Sequence, residues 1–79
     1  MAGQTHRGVV KFWKPNKGWG AISSDALPPG RDAFAHFSAI EAAGFRELVP
    51  GEAVEFCFVE VQQDSFDFVA EWVRVLPDA

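Results

Sequence analysis

Proline and glycine clusters punctuate this chain so closely that the stretches between them read as short strands with almost no helix: Lys14-Pro15-Asn16-Lys17-Gly18, Pro28-Pro29-Gly30 and Pro50-Gly51. Proline presets φ for a turn position, and asparagine and glycine accept conformations that other residues avoid, so each cluster ends one element and begins another. Residues 8–14 alternate Val10 and Phe12 against Val9, Lys11 and Trp13, as a half-buried strand of strong β formers does. A second strand is predicted over 18–23, where two glycines are costly unless close backbone approach or barrel curvature requires them. Residues 24–31 form a loop and 32–37 a third strand. Residues 38–44 carry a capping serine, three alanines and a closing glycine, enough for one helical or 3₁₀ turn. Over 53–61 the alternation places Val54, Phe56 and Phe58 inward and Glu55, Cys57 and Val59 outward. A polar loop at 62–67 leads into a fifth strand at 68–76. Five short strands with turn signals between them predict an all-β fold, a five-stranded antiparallel barrel that closes its own edges.

A chain of 79 residues makes one domain, 1–79, with no internal repeat or linker and a single core that buries only about 60 % of the unfolded surface. A separate cofactor domain does not fit in that length. Cys57 is the only cysteine, so no intramolecular disulfide can form, which suits a reducing compartment. Residues 1–7 are polar, and no run approaches the roughly 18 apolar residues of a membrane span, so a soluble cytoplasmic protein is expected.

The net charge of −4 argues at first against a polyanionic partner. Its distribution argues otherwise. Residues 1–37 hold Arg7, Lys11, Lys14, Lys17 and Arg31 against Asp25 and Asp32, a net +3, whereas 38–79 hold Arg46 and Arg74 against nine carboxylates, a net −7. A local basic strip can contact phosphates while an acidic far side stays solvated.

The positive half also carries two aromatic strings, Lys17-Gly18-Trp19-Gly20-Ala21-Ile22 and Phe34-Ala35-His36-Phe37. Side chains alternate across a strand, so Trp19 shares a face with Ala21, and Phe34 with His36. Paired, these strands present flat rings beside lysines. Every nucleobase has a π-face and every nucleotide a phosphate, so such a surface matches unpaired nucleic acid.

Catalytic chemistry has little to work with. Two histidines and one cysteine make no Cys/His metal site of the usual spacing, and the carboxylates do not cluster. Gly18-Trp19-Gly20 lacks the third glycine and the following helix of a dinucleotide loop, and no Gly-Lys-Ser/Thr phosphate loop exists. Ser38 follows His36 by two residues without a supporting acid in register. No enzyme activity, cofactor or small-molecule substrate is expected.

Gly8-Val9-Val10-Lys11-Phe12-Trp13, Lys17-Gly18-Trp19-Gly20-Ala21-Ile22 and Asp32-Ala33-Phe34-Ala35-His36-Phe37-Ser38-Ala39-Ile40, taken in order, resemble the bacterial cold-shock protein family. The likeness runs over 8–76, with Gly44-Phe45, Leu48, Pro50-Gly51 and 70–73 also falling where the family places a glycine-aromatic pair, a turn and its last strand. It implies an OB-type barrel that binds single-stranded RNA and DNA with little sequence preference, often as an RNA chaperone. Carried over by position, the nucleic-acid-binding residues are Lys11, Phe12, Trp13, Lys17, Trp19, Phe34, His36, Phe37 and Phe45. A monomer is expected, a strand-swapped dimer being the alternative, with no membrane partner.

The chain departs from the family pattern in several places. Ala21 stands where most members carry a second aromatic, Phe12 and Trp13 reverse the usual Trp-Phe order, and Ala33 and Ala35 replace larger inward residues. Phe56, Phe58, Val69 or Trp72 are candidates to fill the lost volume. Asp64 and Asp67 occupy the 62–67 loop where relatives often place glycine and a basic residue, although Phe66 could stack there. A thinner platform, an acidic second half and apolar residues such as Phe66 also suit an alternative, a protein-interaction module on the same barrel.

Overall fold

The computed structural model describes residues 4–41 and 47–76. Among them five strands form: β1 (His6–Lys14), β2 (Trp19–Ser23), β3 (Ala33–His36), β4 (Ala53–Val59) and β5 (Phe68–Val75). A 3₁₀ turn, Phe37–Ala39, follows β3, capped by the His36 side chain, which accepts a hydrogen bond from the Ser38 backbone N–H. The predicted helical turn at 38–44 therefore starts one residue earlier, and its far end, 42–46, lies outside the described residues.

The strands close into a barrel in the order β1-β2-β3-β5-β4. Four of the five seams are antiparallel, and β3 pairs with β5 in parallel, Ala33 opposite Phe68 and Phe34 opposite Val69. The purely antiparallel barrel expected from sequence is corrected here by simple counting. Strand direction cannot alternate all the way round a closed ring of odd number, so one pair must run the same way.

Val10, Ile22, Leu27, Ala33, Ala35, Ile40, Leu48, Val54, Phe56, Ala70 and Val73 form one buried cluster. Ala33 and Ala35 face this core, and Phe56 is the largest side chain fully enclosed with them. Phe58 and Phe68 pack against the cluster from its margin. Trp72 contributes differently: its indole N–H donates to Glu41 at 2.5 Å, and it lies opposite Cys57 in the β4–β5 register. A register shift opposite Cys57 and Phe58 leaves Glu71 as the extra residue of a bulge in β5, so the alternation of β4 itself is kept. Val54 and Phe56 belong to the core cluster and Phe58 packs against it, as expected, while Cys57 is 3 % exposed although it is not part of that cluster.

A second register shift decides the binding face. Val10 pairs with Ile22, but the next pair is Phe12 with Ala21, followed by Trp13 with Gly20 and Lys14 with Trp19. Lys11 is the extra residue of a β-bulge, which moves every later side chain of β1 to the opposite face. The expectation that Val10 and Phe12 share one face and Lys11 and Trp13 the other fails for this reason. Val10 points inward, and Phe12 points out.

Candidate nucleic-acid interface

The bulge assembles a grid on the outer face of three neighbouring strands: Phe12 and Lys14 on β1, Ala21 and Trp19 on β2, Phe34 and His36 on β3. Phe12 meets Trp19 edge to face at 5.7 Å between ring centroids, and Trp19 stacks on Phe34 at 5.2 Å with planes 25° apart. Such offset arrangements suit the quadrupoles of neighbouring rings. Lys14 Nζ lies 5.6 Å from the Phe12 ring and 5.7 Å from the Trp19 ring, within cation–π range. Ala21 sits between Phe12 and Phe34 in register and is 1 % exposed, so the surrounding rings close over its methyl group. Phe66, from the loop before β5, completes the cluster by touching both Trp19 and Phe34.

Beyond the grid, the face continues through His36 and Phe37, whose rings lie 4.5 Å apart. His36 Nδ1 accepts from the Ser38 N–H at 3.3 Å and lies 2.8 Å from Ser38 Oγ. An accepting Nδ1 leaves the ring proton on Nε2, which is thereby a donor for a base or phosphate. Phe37 is 44 % exposed, and its N–H donates to the Gly18 carbonyl at 2.8 Å. Gly18 has φ of +76°, which permits the turn, and a β-carbon there would stand 3.0 Å from the Phe37 ring.

Trp13 faces the other way and packs against the core. Its remaining edge lines a shallow groove with Lys17 and Phe37. Of the residues carried over by resemblance, the structure thus brings Phe12, Trp19, Phe34 and His36 together, sets Phe37 and Lys17 beside them, and turns Trp13 away. Phe45 lies outside the described residues. Lys14 was missed, although period-two alternation from Phe12 would have found it.

Charge is unevenly available. Lys11 Nζ pairs with Asp32 at 2.9 Å, and Arg31 pairs with Asp67. Among the described residues, Lys14 and Lys17 have no carboxylate within ion-pair distance. The free lysines therefore gather at the β1–β2 turn. On another part of the barrel, the Arg74 guanidinium at 2.5 Å and the Thr5 hydroxyl at 2.9 Å both donate to Glu55 and hold its carboxyl below the ordinary value of 4.5. Burial raises the Cys57 thiol. No group of three or more His, Cys, Asp or Glu among the described residues is placed to hold a metal. No helix there is long and apolar enough to cross a membrane.

Fold and face together define a small OB-type barrel that presents rings and cations on one side. A family model described as the 'Cold-shock' DNA-binding domain matches residues 6–68, and the chain belongs to that family of nucleic-acid-binding, non-enzymatic domains. Relatives include a cold shock-like protein, CspLB, of Listeria monocytogenes, 46 % identical over 56 residues covering 71 % of this chain and 80 % of the relative. A cold shock-like protein of Thermotoga maritima is 41 % identical over 70 residues, 89 % of this chain and 97 % of the relative. The cold shock protein ScoF of Streptomyces coelicolor is 45 % identical over 56 residues, covering 71 % and 81 %.

Proposed function

We propose that this face binds unpaired segments of RNA and DNA by base stacking, with little sequence preference, and that the protein acts as an RNA chaperone in a cold-shock or stress response. The grid of Phe12, Trp19 and Phe34 with Lys14 above two of its rings carries the reading. Stacking contributes about 1–3 kcal/mol per base, and each base has a π-face to offer. Lys14 and Lys17 add sequence-blind, salt-sensitive attraction to phosphate. His36 Nε2 supplies a hydrogen bond. No step requires ATP: capture of open segments shifts RNA hairpins toward the open form by mass action. The protein works as a monomer in the cytoplasm.

The test is quenching of tryptophan fluorescence by a thymine- or uracil-rich single strand of about seven nucleotides, in low and high salt. Quenching that weakens with salt is expected. Its absence at tens of micromolar ligand in low salt sinks the reading. One observation favours a second reading, a protein-docking barrel: Phe34 is only 7 % exposed, because its neighbours already cover it. That reading expects no quenching.

A further inference from the structure

Phe66 is the one ring of the described outer cluster that comes from no strand. Gln63 and Phe66 exchange backbone hydrogen bonds of 2.9 and 2.8 Å, and Asp64 between them adopts φ of +53°, so the loop folds back as a tight turn. The Arg31–Asp67 ion pair ties the base of this turn to the loop before β3. The Phe66 ring is half-buried, with its centroid 5.9 Å from Trp19 and 5.6 Å from Phe34 and its plane at 85° and 65° to theirs. Trp19 and Phe34 lie nearly parallel to each other. The loop ring therefore stands as an upright wall beside a two-ring floor. Phe34, one of its two ring partners, lies opposite Ala21 in register, where β2 offers only a methyl group.

We propose that Phe66 is a base-contacting residue, delivering from the loop the stacking surface that position 21 does not supply from the strand; this rests on the nucleic-acid reading above. A ring already fixed by two backbone hydrogen bonds and an ion pair loses little freedom when a base arrives, which favours a contact surface over a gate that must swing away. The cations at this end are already matched, Arg31 by Asp67 and Lys11 by Asp32. Binding at this end is therefore apolar stacking. Phosphate attraction belongs to the Lys14 and Lys17 end.

The two ends separate by salt. Anisotropy of a labelled thymine strand of about seven nucleotides, measured over a range of salt, should show that Phe66→Ala weakens binding about five-fold or more while the slope of log Kd against log salt stays that of the parent. Phe66→Leu, which keeps apolar packing but has no π-face, should lose a similar factor; Phe66→Trp should not. Ala21→Phe placed in the Phe66→Ala background should recover much of the loss. Unchanged or tighter binding by Phe66→Leu with a native circular-dichroism spectrum overturns the assignment and makes Phe66 a cover. If the parent chain itself fails to bind, the nucleic-acid reading falls and the assignment with it; if the parent binds and Phe66→Leu binds equally, only the assignment falls.

Discussion

Trp13 packs over the backbone of Gly20, its partner in register across β1 and β2, so closely that a β-carbon on Gly20 would lie 2.7 Å from Trp13 Cε3. The glycine between the aromatic and the alanine of β2 is thus a space requirement of the inward-turned indole. Gly20→Ala has to push Trp13 and the Phe12 carbonyl aside. A loss of about 1–3 kcal/mol is expected, the usual range for overpacking. Urea unfolding reads it directly, and an unchanged midpoint would mean that the indole is not wedged there.

Phe12 and Trp13 are adjacent in sequence and opposite in role. Phe12→Leu should weaken oligonucleotide binding by about 1 kcal/mol, since it removes a ring from the outer grid. Trp13→Phe should leave affinity near that of the parent and lower stability instead, because it shrinks a side chain that packs on the core. Titration and thermal unfolding of both variants test the pair, and the reverse pattern would place Trp13 on the binding face.

The lysines are likewise unequal. For single strands, each phosphate that a cation neutralises adds about 0.7 to the steepness of the salt dependence. Lys14→Gln and Lys17→Gln should each reduce the slope by about that amount. Lys11→Gln should change it less, because Asp32 already sits 2.9 Å from that ammonium. Equal changes for all three would show that the Lys11–Asp32 pair opens on binding.

Glu55 provides a pH signature away from the interface. Its carboxyl is held below 4.5 by hydrogen bonds from Arg74 and then Thr5. A depressed folded-state pKa adds stability above the unfolded value and loses it as pH falls through the folded one. The midpoint of thermal unfolding should therefore drop on acidification below the ordinary carboxylate range. In Glu55→Gln that drop should be shallower, with oligonucleotide binding at neutral pH unaffected.

Strand number and turn positions were legible because proline and glycine act locally, and a five-strand barrel followed. That some seam had to be parallel was implicit in the odd strand count, since a closed ring of five cannot alternate throughout. The expectation was nevertheless a purely antiparallel barrel, and the count does not say that β3 and β5 form the seam. The bulge at Lys11 was not legible. Nothing in Val10-Lys11-Phe12-Trp13 distinguishes a regular strand from one with an extra residue, and the choice is made by the partner strand, where Gly20 accepts the indole and Ala21 leaves room for the rings. Phe66 was visible only as a candidate for stacking, because its position depends on how its loop turns back onto β2 and β3.

The parallel seam has a kinetic meaning as well. Ala33 and Phe68 are separated in the chain by the 3₁₀ turn and the whole of β4, so this closure joins residues far apart in sequence. Non-local pairings of that kind slow folding, because the entropy of loop closure is lost before the contacts form. β3 has just four residues, and it carries Phe34 and His36. A molecule whose local hairpins have formed but whose seam is open holds the three-strand grid without Phe66, which comes from the loop leading into β5. Full-strength ligand capture should accordingly appear with the slowest folding phase, making the oligonucleotide a probe of the last step in assembling the barrel.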